Sequence, residues 1–521
     1  DSPKTKLGLP EVLLGIHPGF GGTYRATRLM DAPTALDMML QGRAMSASAA
    51  KRAGLVDMII PDRQLMKAAR SVILNPSLIK RPFKLWRAIS NNRFVRPVLA
   101  NLIRKKVAAR VKQSHYPAPF AIIDLWKDYA LHQDLMLRAE AKSVSKLITS
   151  PTAQNLIRVF FLQERLKSLG KKADIPAKHV HVIGAGTMGA DIAAWCAAQG
   201  LRVTLQDREA KFIASGMKRA AKFFEKRFKK TRLVREVMDR FIADISGDGL
   251  KNADVIIEAV FESLEVKQEL FRRIEPVIKE GAILATNTSS IPLENIATVL
   301  QRPDRLIGLH FFNPVAKMPL VEVVCSEQNP KSVIDQALSF VRLIDKLPLP
   351  VKSVPGFLVN RVLMPYLIEA TVLVSEGIAP EVIDKTALNF GMPMGPIELA
   401  DTVGLDVCLS VAEIFSKHYG LNVPELLQKM VKDGRLGKKS NHGFYVYKKG
   451  KKQKKPVQAG QRSEGLTERL IKPFLLEAQK CLNEKVVQDD ELIDAGIIFG
   501  TGFAPFRGGP MHYLKDQPLE V

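Results

Sequence analysis

The run HVHVIGAGTMGADIAAWCAAQG at 179–200 constrains the fold of this chain more than any other stretch. Its apolar start predicts a buried strand over His179–Ile183, and its alanine-rich end predicts a helix. Between them stand Gly184, Gly186, Met188 and Gly189. Glycine removes bulk where such a loop turns and where backbone must approach a pyrophosphate, whose charge then sits at the positive end of the helix. A second strand, RVTLQ, ends in Asp207, eighteen residues after Gly189. A carboxylate there accepts hydrogen bonds from ribose hydroxyls and repels a 2′-phosphate, so the expected cofactor is NAD.

Further strand-like runs, Ala253–Val260, Ala282–Thr288 and Leu306–Phe312, alternate with helical ones, which predicts an α/β doubly wound domain of the Rossmann type over 173–352. After Pro350 the pattern turns helical. Two stretches there resemble each other, FGMPMGPIELADTVGLD at 390–406 and FGTGFAPFRGGPMHYLKD at 499–516, each preceded by an Ile-Asp pair. They predict a helical C-terminal region with an internal repeat, units 353–455 and 456–521. Before the strands, 65–172 reads as a helical, basic connector, with a boundary near Lys171–Lys178, and 1–64 reads as part of a further domain already under way at residue 1.

Composition narrows the class. At 521 residues, with 46% hydrophobic and 25% charged residues, the chain exceeds one core and is neither disordered nor collagen-like. No uninterrupted apolar run reaches membrane-spanning length. Cys196, Cys325, Cys408 and Cys481 lie too far apart to suggest a disulfide framework or a zinc site, so no metal is expected and a reducing compartment fits. The net charge of +24 is concentrated: fourteen Lys or Arg against Asp62 between Pro61 and Gln113, ten against Glu225 and Glu236 over 211–236, and six lysines over 448–455. Such clusters suit phosphate-rich or anionic partners, but for each taken alone the plainer reading, solvated helix faces and a loop, is the stronger.

The second constellation is LIGLHFFNPVAKMPLVEVVC at 306–325. If its two apolar runs form an antiparallel hairpin centred on Ala316, residues whose numbers sum to 632 face each other, and His310 and Glu322 do. Directly opposed side chains are close enough for an imidazole–carboxylate hydrogen bond. That pair suits a general base acting on an alcohol, and it also describes a buried histidine satisfied by a glutamate. Its place at the carboxyl end of a late strand, where doubly wound sheets bind ligands, favours chemistry. Ser289, in Asn287-Thr288-Ser289-Ser290 at the preceding strand end, can reach the same crevice.

At these residues the chain resembles the 3-hydroxyacyl-CoA dehydrogenase family: GxGxMG, NTSS, GLHFFNP, LVEV and PGFxxNR at Pro355–Arg361, in order, from about Lys178 onward. The resemblance implies NAD-dependent oxidation of L-3-hydroxyacyl-CoA, with His310 as catalytic base and Glu322 as its partner. It puts Ser289, Asn313 and Asn360 in the catalytic, substrate-side set, and Tyr513 at a further substrate position. It matches Gly184, Gly186, Met188, Gly189, Asp207, Glu262, Lys267 and Ser289 to the dinucleotide. The N-terminal GLPEVLLGIHPGFGG and GLVDMIIP resemble the second half of an enoyl-CoA hydratase (crotonase) domain, with Glu11 at one of its two catalytic glutamates. Joined, the two parts resemble the α-subunits of fatty-acid oxidation complexes, which implies a thiolase β-subunit partner and a bacterial cytoplasmic or mitochondrial matrix setting. Hydration needs two carboxylates and oxyanion donors, so the hydratase region of the 521 residues is expected to be truncated and inactive.

Two rivals remain at this stage. Another hydroxyacid dehydrogenase would share the glycine loop without the His310/Glu322 hairpin. A basic nucleic-acid-binding or scaffold protein would explain the charge but leave the motifs without purpose, and no RNA-binding aromatic signature is present, so no nucleic-acid partner is expected. The expected use of Pro61–Gln113, where Phe83, Trp86, Phe94, Val98 and Ile103 recur among the basic residues, is peripheral contact with an anionic membrane; the same periodicity serves a helix packed on the neighbouring domain or a thiolase subunit with its charges in water. Lys218, Arg219 or Lys222 are the candidates for coenzyme A phosphates.

Overall fold

The computed structural model describes residues 5–79, 85–170, 177–453 and 465–517. They form two compact units, one of residues up to Phe160 with Pro505–Gly508, the other from Phe161 to Ala504 with the residues from Gly509 onward.

The first unit opens with two short antiparallel strands, β1 (Lys6–Leu7) and β2 (Met45–Ser46). The helix Ala32–Gln41 starts at Asp31, whose side chain accepts the Thr34 N–H at 3.0 Å, and ends at Gly42 with φ 59°. Its buried Leu36 and Met39 share a core with Ile122, Ile123 and Trp126 of the helix Ala118–Tyr129. Residues on both sides of position 64 therefore build one core. The helix Leu65–Leu74, by contrast, buries no residue.

The second unit is built on an eight-stranded sheet: β3 (His179–Ile183), β4 (Arg202–Gln206), β5 (Phe241–Ala243), β6 (Val255–Glu258), β7 (Ile283–Thr286), β8 (Leu306–Phe311), β9 (Leu320–Cys325) and β10 (Leu347–Lys352). Their spatial order is β10-β9-β8-β7-β6-β3-β4-β5. Strands β3 to β8 run parallel, and β9 turns back antiparallel to β8. The central strands are buried along their length because helices cover both faces, which is why they read as apolar runs rather than as alternating ones. His179 and His181 are tolerated in β3 because both bond the Thr204 hydroxyl of β4, at 2.9 and 2.8 Å.

Strand β10 was not expected, since Pro348 and Pro350 argue against a strand. They fit because β10 is an edge. Leu347 N–H bonds Pro319 O toward β9, so by the period of two the prolines turn their missing N–H groups to the open side. Lys352 N–H, on that open side, is taken by Val486 O at 2.8 Å.

The C-terminal repeat has a shared physical basis. Asp384, buried in the helix Pro380–Phe390, accepts the N–H groups of Ile397 (2.9 Å) and Glu398 (3.2 Å) at the start of the helix Pro396–Val403. Asp494, buried in Asp490–Thr501, accepts Met511 (2.7 Å) and His512 (3.2 Å) at the start of Pro510–Asp516. Each carboxylate satisfies a helix N-terminus, and each lies against a glycine, where an added Cβ would come within 2.2 Å (Gly395) or 2.3 Å (Gly509) of the aspartate Cγ. The recurring Ile-Asp and Gly-Pro pairs are the sequence trace of this lock. Burial pushes the Asp384 carboxyl up to about 6. Residues 171–176 of the expected boundary and the end of the lysine-rich loop, 454–455, lie outside the described residues.

Candidate active site

The glycine loop leaves β3 and enters the helix Thr187–Ala198. Gly184 has φ 104°, and a Cβ on it would meet Ala259 O at 2.4 Å; one on Gly189 would lie 1.8 Å from Gly184 O. Both glycines are required by the protein's own packing. Gly186 differs, since a Cβ there would meet nothing within 4 Å. The helix it precedes has no side-chain cap, so its first N–H groups are presented to that open space. Asp207 stands at the end of β4 and accepts the Ala185 N–H at 2.6 Å, tying the loop to the second strand. The Arg208 side chain is 85% exposed and lies 3.8 Å from Glu209. An open space before uncapped amides, with a carboxylate beside it, fits a dinucleotide, and the carboxylate favours NAD over NADP. Met188 packs against the core of the sheet.

This arrangement makes two glycines separable by experiment. Gly189→Ala is expected to lower the melting temperature by about 5 °C or more through backbone displacement, whereas Gly186→Ala should shift it by about 1 °C or less. Gly186→Ala should nonetheless weaken NAD binding by about tenfold or more, because its methyl occupies the pyrophosphate's approach. Thermal unfolding and NAD titration check both; equal destabilisation by the two variants would refute the distinction.

A polar network continues along the same strand ends. Glu258, at the end of β6, is fully buried and accepts from Val260 N–H (2.7 Å), Lys267 Nζ (2.7 Å) and the Thr286 hydroxyl (2.6 Å). Lys267 is buried too and reaches Glu262 at 3.2 Å. Glu262 then accepts from the Thr288 hydroxyl (2.7 Å), Ser289 N–H (2.8 Å) and the Ser289 hydroxyl (3.2 Å). Burial raises the Glu262 carboxyl, but Lys267 and these hydrogen bonds outweigh it and hold the group below its usual value. Lys267 thus acts on the crevice through Glu262. Glu258, the hub of the network, was not foreseen; the trace it left was a carboxylate ending the apolar run VIIE.

The hairpin pairs β8 and β9 in the register expected, with His310 opposite Glu322. His310 Nδ1 lies 2.7 Å from Glu322 Oε2. Glu322 is fully buried, and its Oε1 accepts the N–H groups of Leu358 (3.1 Å) and Val359 (2.9 Å) at the start of the helix Val359–Ser375. Backbone N–H groups only donate, so this oxygen must accept; with the carboxylate charged beside a helix N-terminus, Nδ1 carries the imidazole proton. His310 is 5% exposed, its ring centroid lies 4.6 and 5.5 Å from those of Phe312 and Phe357, and it has no protein partner on Nε2 among the described residues. A lone pair on a buried imidazole is thereby left without a protein partner among those residues.

Asn360, on the same helix, donates to Ser289 O at 3.3 Å, so the helix start, the β7 strand end and the hairpin converge. Arg361 anchors that helix start. Its guanidinium is 2% exposed, bonds Glu477 (2.8 Å) and both oxygens of Glu484 (2.6 and 2.8 Å), and stacks over Tyr419, whose hydroxyl donates to Pro355 O at 3.0 Å. Asn287 also enters, its side chain accepting the Phe311 N–H at 2.9 Å. Asn313 lies exposed in the turn between β8 and β9. Tyr513 packs edge-on against Phe390, with centroids 5.5 Å apart, in the second repeat. In the first unit Glu11 opens a short 3-10 turn, with Oε2 buried and without a hydrogen-bond partner among the described residues.

With the geometry in view, the comparisons are specific. Residues 179–354 match the NAD-binding domain of 3-hydroxyacyl-CoA dehydrogenase, 356–447 its C-terminal domain, and 2–107 the enoyl-CoA hydratase/isomerase family. The fatty acid oxidation complex subunit alpha of Shewanella amazonensis is 35% identical over 99% of this chain and 76% of its own length. The chain belongs to the family of fatty acid oxidation complex alpha subunits. Among solved structures, a 3-hydroxybutyryl-CoA dehydrogenase of Escherichia coli aligns with 66% of this chain and 92% of its own, at 28% identity and TM-score 0.59. An (S)-3-hydroxybutyryl-CoA dehydrogenase of Ralstonia eutropha aligns with 52% of this chain and all of its own, at 36% identity and TM-score 0.51. This alpha-subunit relative is thus an NAD-dependent 3-hydroxyacyl-CoA dehydrogenase joined to a hydratase-family region.

Proposed function

We infer that the chain oxidises L-3-hydroxyacyl-CoA to 3-oxoacyl-CoA with the residues named above in the following roles. The carrying observation is the 2.7 Å contact from His310 to a fully buried Glu322, which leaves Nε2 without a protein partner among the described residues. His310 Nε2 takes the 3-hydroxyl proton, and the imidazolium so formed is stabilised by Glu322, itself charged and held by two backbone donors. The Ser289 hydroxyl and the Asn360 amide, fixed by Glu262 and by Ser289 O, stand at the same strand ends to steady the substrate oxygen. Asn313, at the hairpin tip, contacts the acyl-CoA. NAD, when bound, supplies the hydride acceptor, and Gly184, Gly186, Gly189 and Asp207 hold its pyrophosphate and ribose. Following NADH absorbance with L-3-hydroxybutyryl-CoA tests this; absence of NADH formation with this and longer acyl chains would overturn the assignment. Glu11 is proposed as a hydratase carboxylate, supported by a buried Oε2 that has no hydrogen-bond partner among the described residues.

We also propose that the basic helical stretch following residue 64 meets an anionic lipid surface. Among the described residues no helix is long and apolar enough to cross a membrane, and the contact proposed is a peripheral one. Met66 is 80% exposed, Ile73 77% and Phe94 75%, and Trp86 and Val98 are exposed as well, among basic residues that include Lys67, Arg70 and Arg87. Ile103 instead packs into the core of the first unit, and Phe83 lies outside the described residues. Each basic residue near an anionic surface adds about 1 kcal/mol, screened by salt. Sedimentation with anionic vesicles at low salt, lost at high salt and absent with neutral vesicles, is the expected result; no sedimentation at low salt would remove the idea. A thiolase β-subunit is proposed as protein partner on the family resemblance, and co-purification of the two chains as a stable hetero-oligomer is its test.

A further inference from the structure

Lys346 stands just before β10 and is 2% exposed. Its Nζ donates to the carbonyls of Val315 and Met318, the latter at 2.6 Å, and sits 4.0 Å from the centroid of the Trp195 ring. The adjacent carboxylate, Asp345, is 71% exposed and lies 3.5 Å from Arg342. A buried ammonium held by carbonyl dipoles and a ring face carries a desolvation cost that a carboxylate would have offset. Neither sheet formation nor core filling requires a charge at this position.

What the ammonium touches explains its presence. Val315 and Met318 belong to the turn between β8 and β9, which carries Asn313 at its tip and joins the strand of His310 to that of Glu322. Trp195 belongs to the helix Thr187–Ala198 that the glycine loop enters, and its Nε1 donates to Ile344 O at 2.8 Å, which fixes the indole against the lysine. Lys346 is therefore the point at which the hairpin turn and the dinucleotide helix are joined through one group.

We propose that Lys346 is a positioning residue of the dehydrogenase, clamping the turn that carries Asn313 against the dinucleotide helix and so setting the acyl-CoA site relative to NAD. The proposal rests on the dehydrogenase reading of the hairpin. The clamp needs the charged form. A neutral amine retains two N–H donors for the two carbonyls, but its lone pair then meets the electron-rich face of Trp195. Burial pushes the Lys346 pKa down to about 8. Asp345, next to it in the chain, favours the charge, and Arg227, 4.8 Å from the Trp195 ring centroid, opposes it; the Cys196 thiol, pushed up to about 12 by burial, is uncharged in this range. The clamp therefore loosens as pH rises through about 8.

Lys346→Met keeps the stem and removes the donors. In this variant, amide exchange within 312–319, where Lys317 and Met318 N–H bond Pro314 O, is expected to rise about tenfold with β3 unchanged. KM for 3-hydroxyacyl-CoA should rise about tenfold while the NADH Kd stays within about twofold. Unchanged exchange in the turn, or a KM and NADH Kd that rise together, would overturn the proposal. If the variant does not fold, the wild-type chain decides it. Between about pH 7 and about pH 9.5, exchange corrected for intrinsic rates should accelerate selectively in 312–319, and no selective change would overturn the proposal. An inactive wild-type chain would remove the dehydrogenase reading and this role with it; an active wild type with a kinetically unchanged Lys346→Met would remove this role alone.

Discussion

His310→Ala is expected to lower turnover by about 10² to 10⁴, the usual range for losing a general base, with the NADH Kd nearly unchanged. The separation follows from the architecture. The glycine loop and Asp207 are held by β3, β4 and the helix Thr187–Ala198, whereas His310 stands on β8, beyond β6 and β7 in the sheet. Removing the imidazole leaves Glu322 with its two backbone donors, so its carboxylate stays bonded and the helix start at Val359 keeps its acceptor. Steady-state turnover beside NADH fluorescence titration checks both halves. Turnover within a few-fold of the wild type would show that His310 is a structural histidine and that another group takes the proton.

Glu322→Gln is the sharper variant, because it changes almost no volume. The Leu358 and Val359 N–H groups still demand an acceptor, so the amide oxygen turns to them and the amide NH₂ turns to His310 Nδ1. Two donors cannot face each other, so the imidazole must present a lone pair at Nδ1 and carry its proton on Nε2. That nitrogen then has no lone pair for the substrate hydroxyl, and the positive charge of the transition state loses its counter-charge. Turnover is expected to fall by about 10² or more with KM little changed, since the interaction lost is made in the transition state. Near-normal turnover in a folded Glu322→Gln chain would contradict both the tautomer and the electrostatic role.

Much of this site was legible because its parts are local. The glycine loop joins consecutive elements, and Gly189 is required by an atom of that same strand–turn–helix unit, the Gly184 carbonyl oxygen, although Gly184 itself is required by Ala259, just after β6. The hairpin register was legible for a related reason: one short turn joins the strands, so its centre fixes every opposed pair, His310 with Glu322 included. The Ile-Asp and Gly-Pro recurrence was visible as text, but its cause was not. A carboxylate capping a helix thirteen or more residues later leaves only the paired residues behind.

The sequence by itself determined the fold class, the glycine loop of the NAD-binding domain and the pairing of His310 with Glu322, because each is written in the residues of one or two adjoining elements. Tertiary structure alone decided what holds that pair. Glu322 is fixed by N–H groups more than thirty positions away, Arg361 reaches Glu477 and Glu484, and Lys346 joins Trp195 to the 312–319 turn. The same is true of β10, whose prolines are compatible with a strand only because it forms an edge. Such contacts follow from how helices and strands stack in space. A single charged residue satisfied by distant partners has no period and no spacing, so nothing in the order of residues announces it.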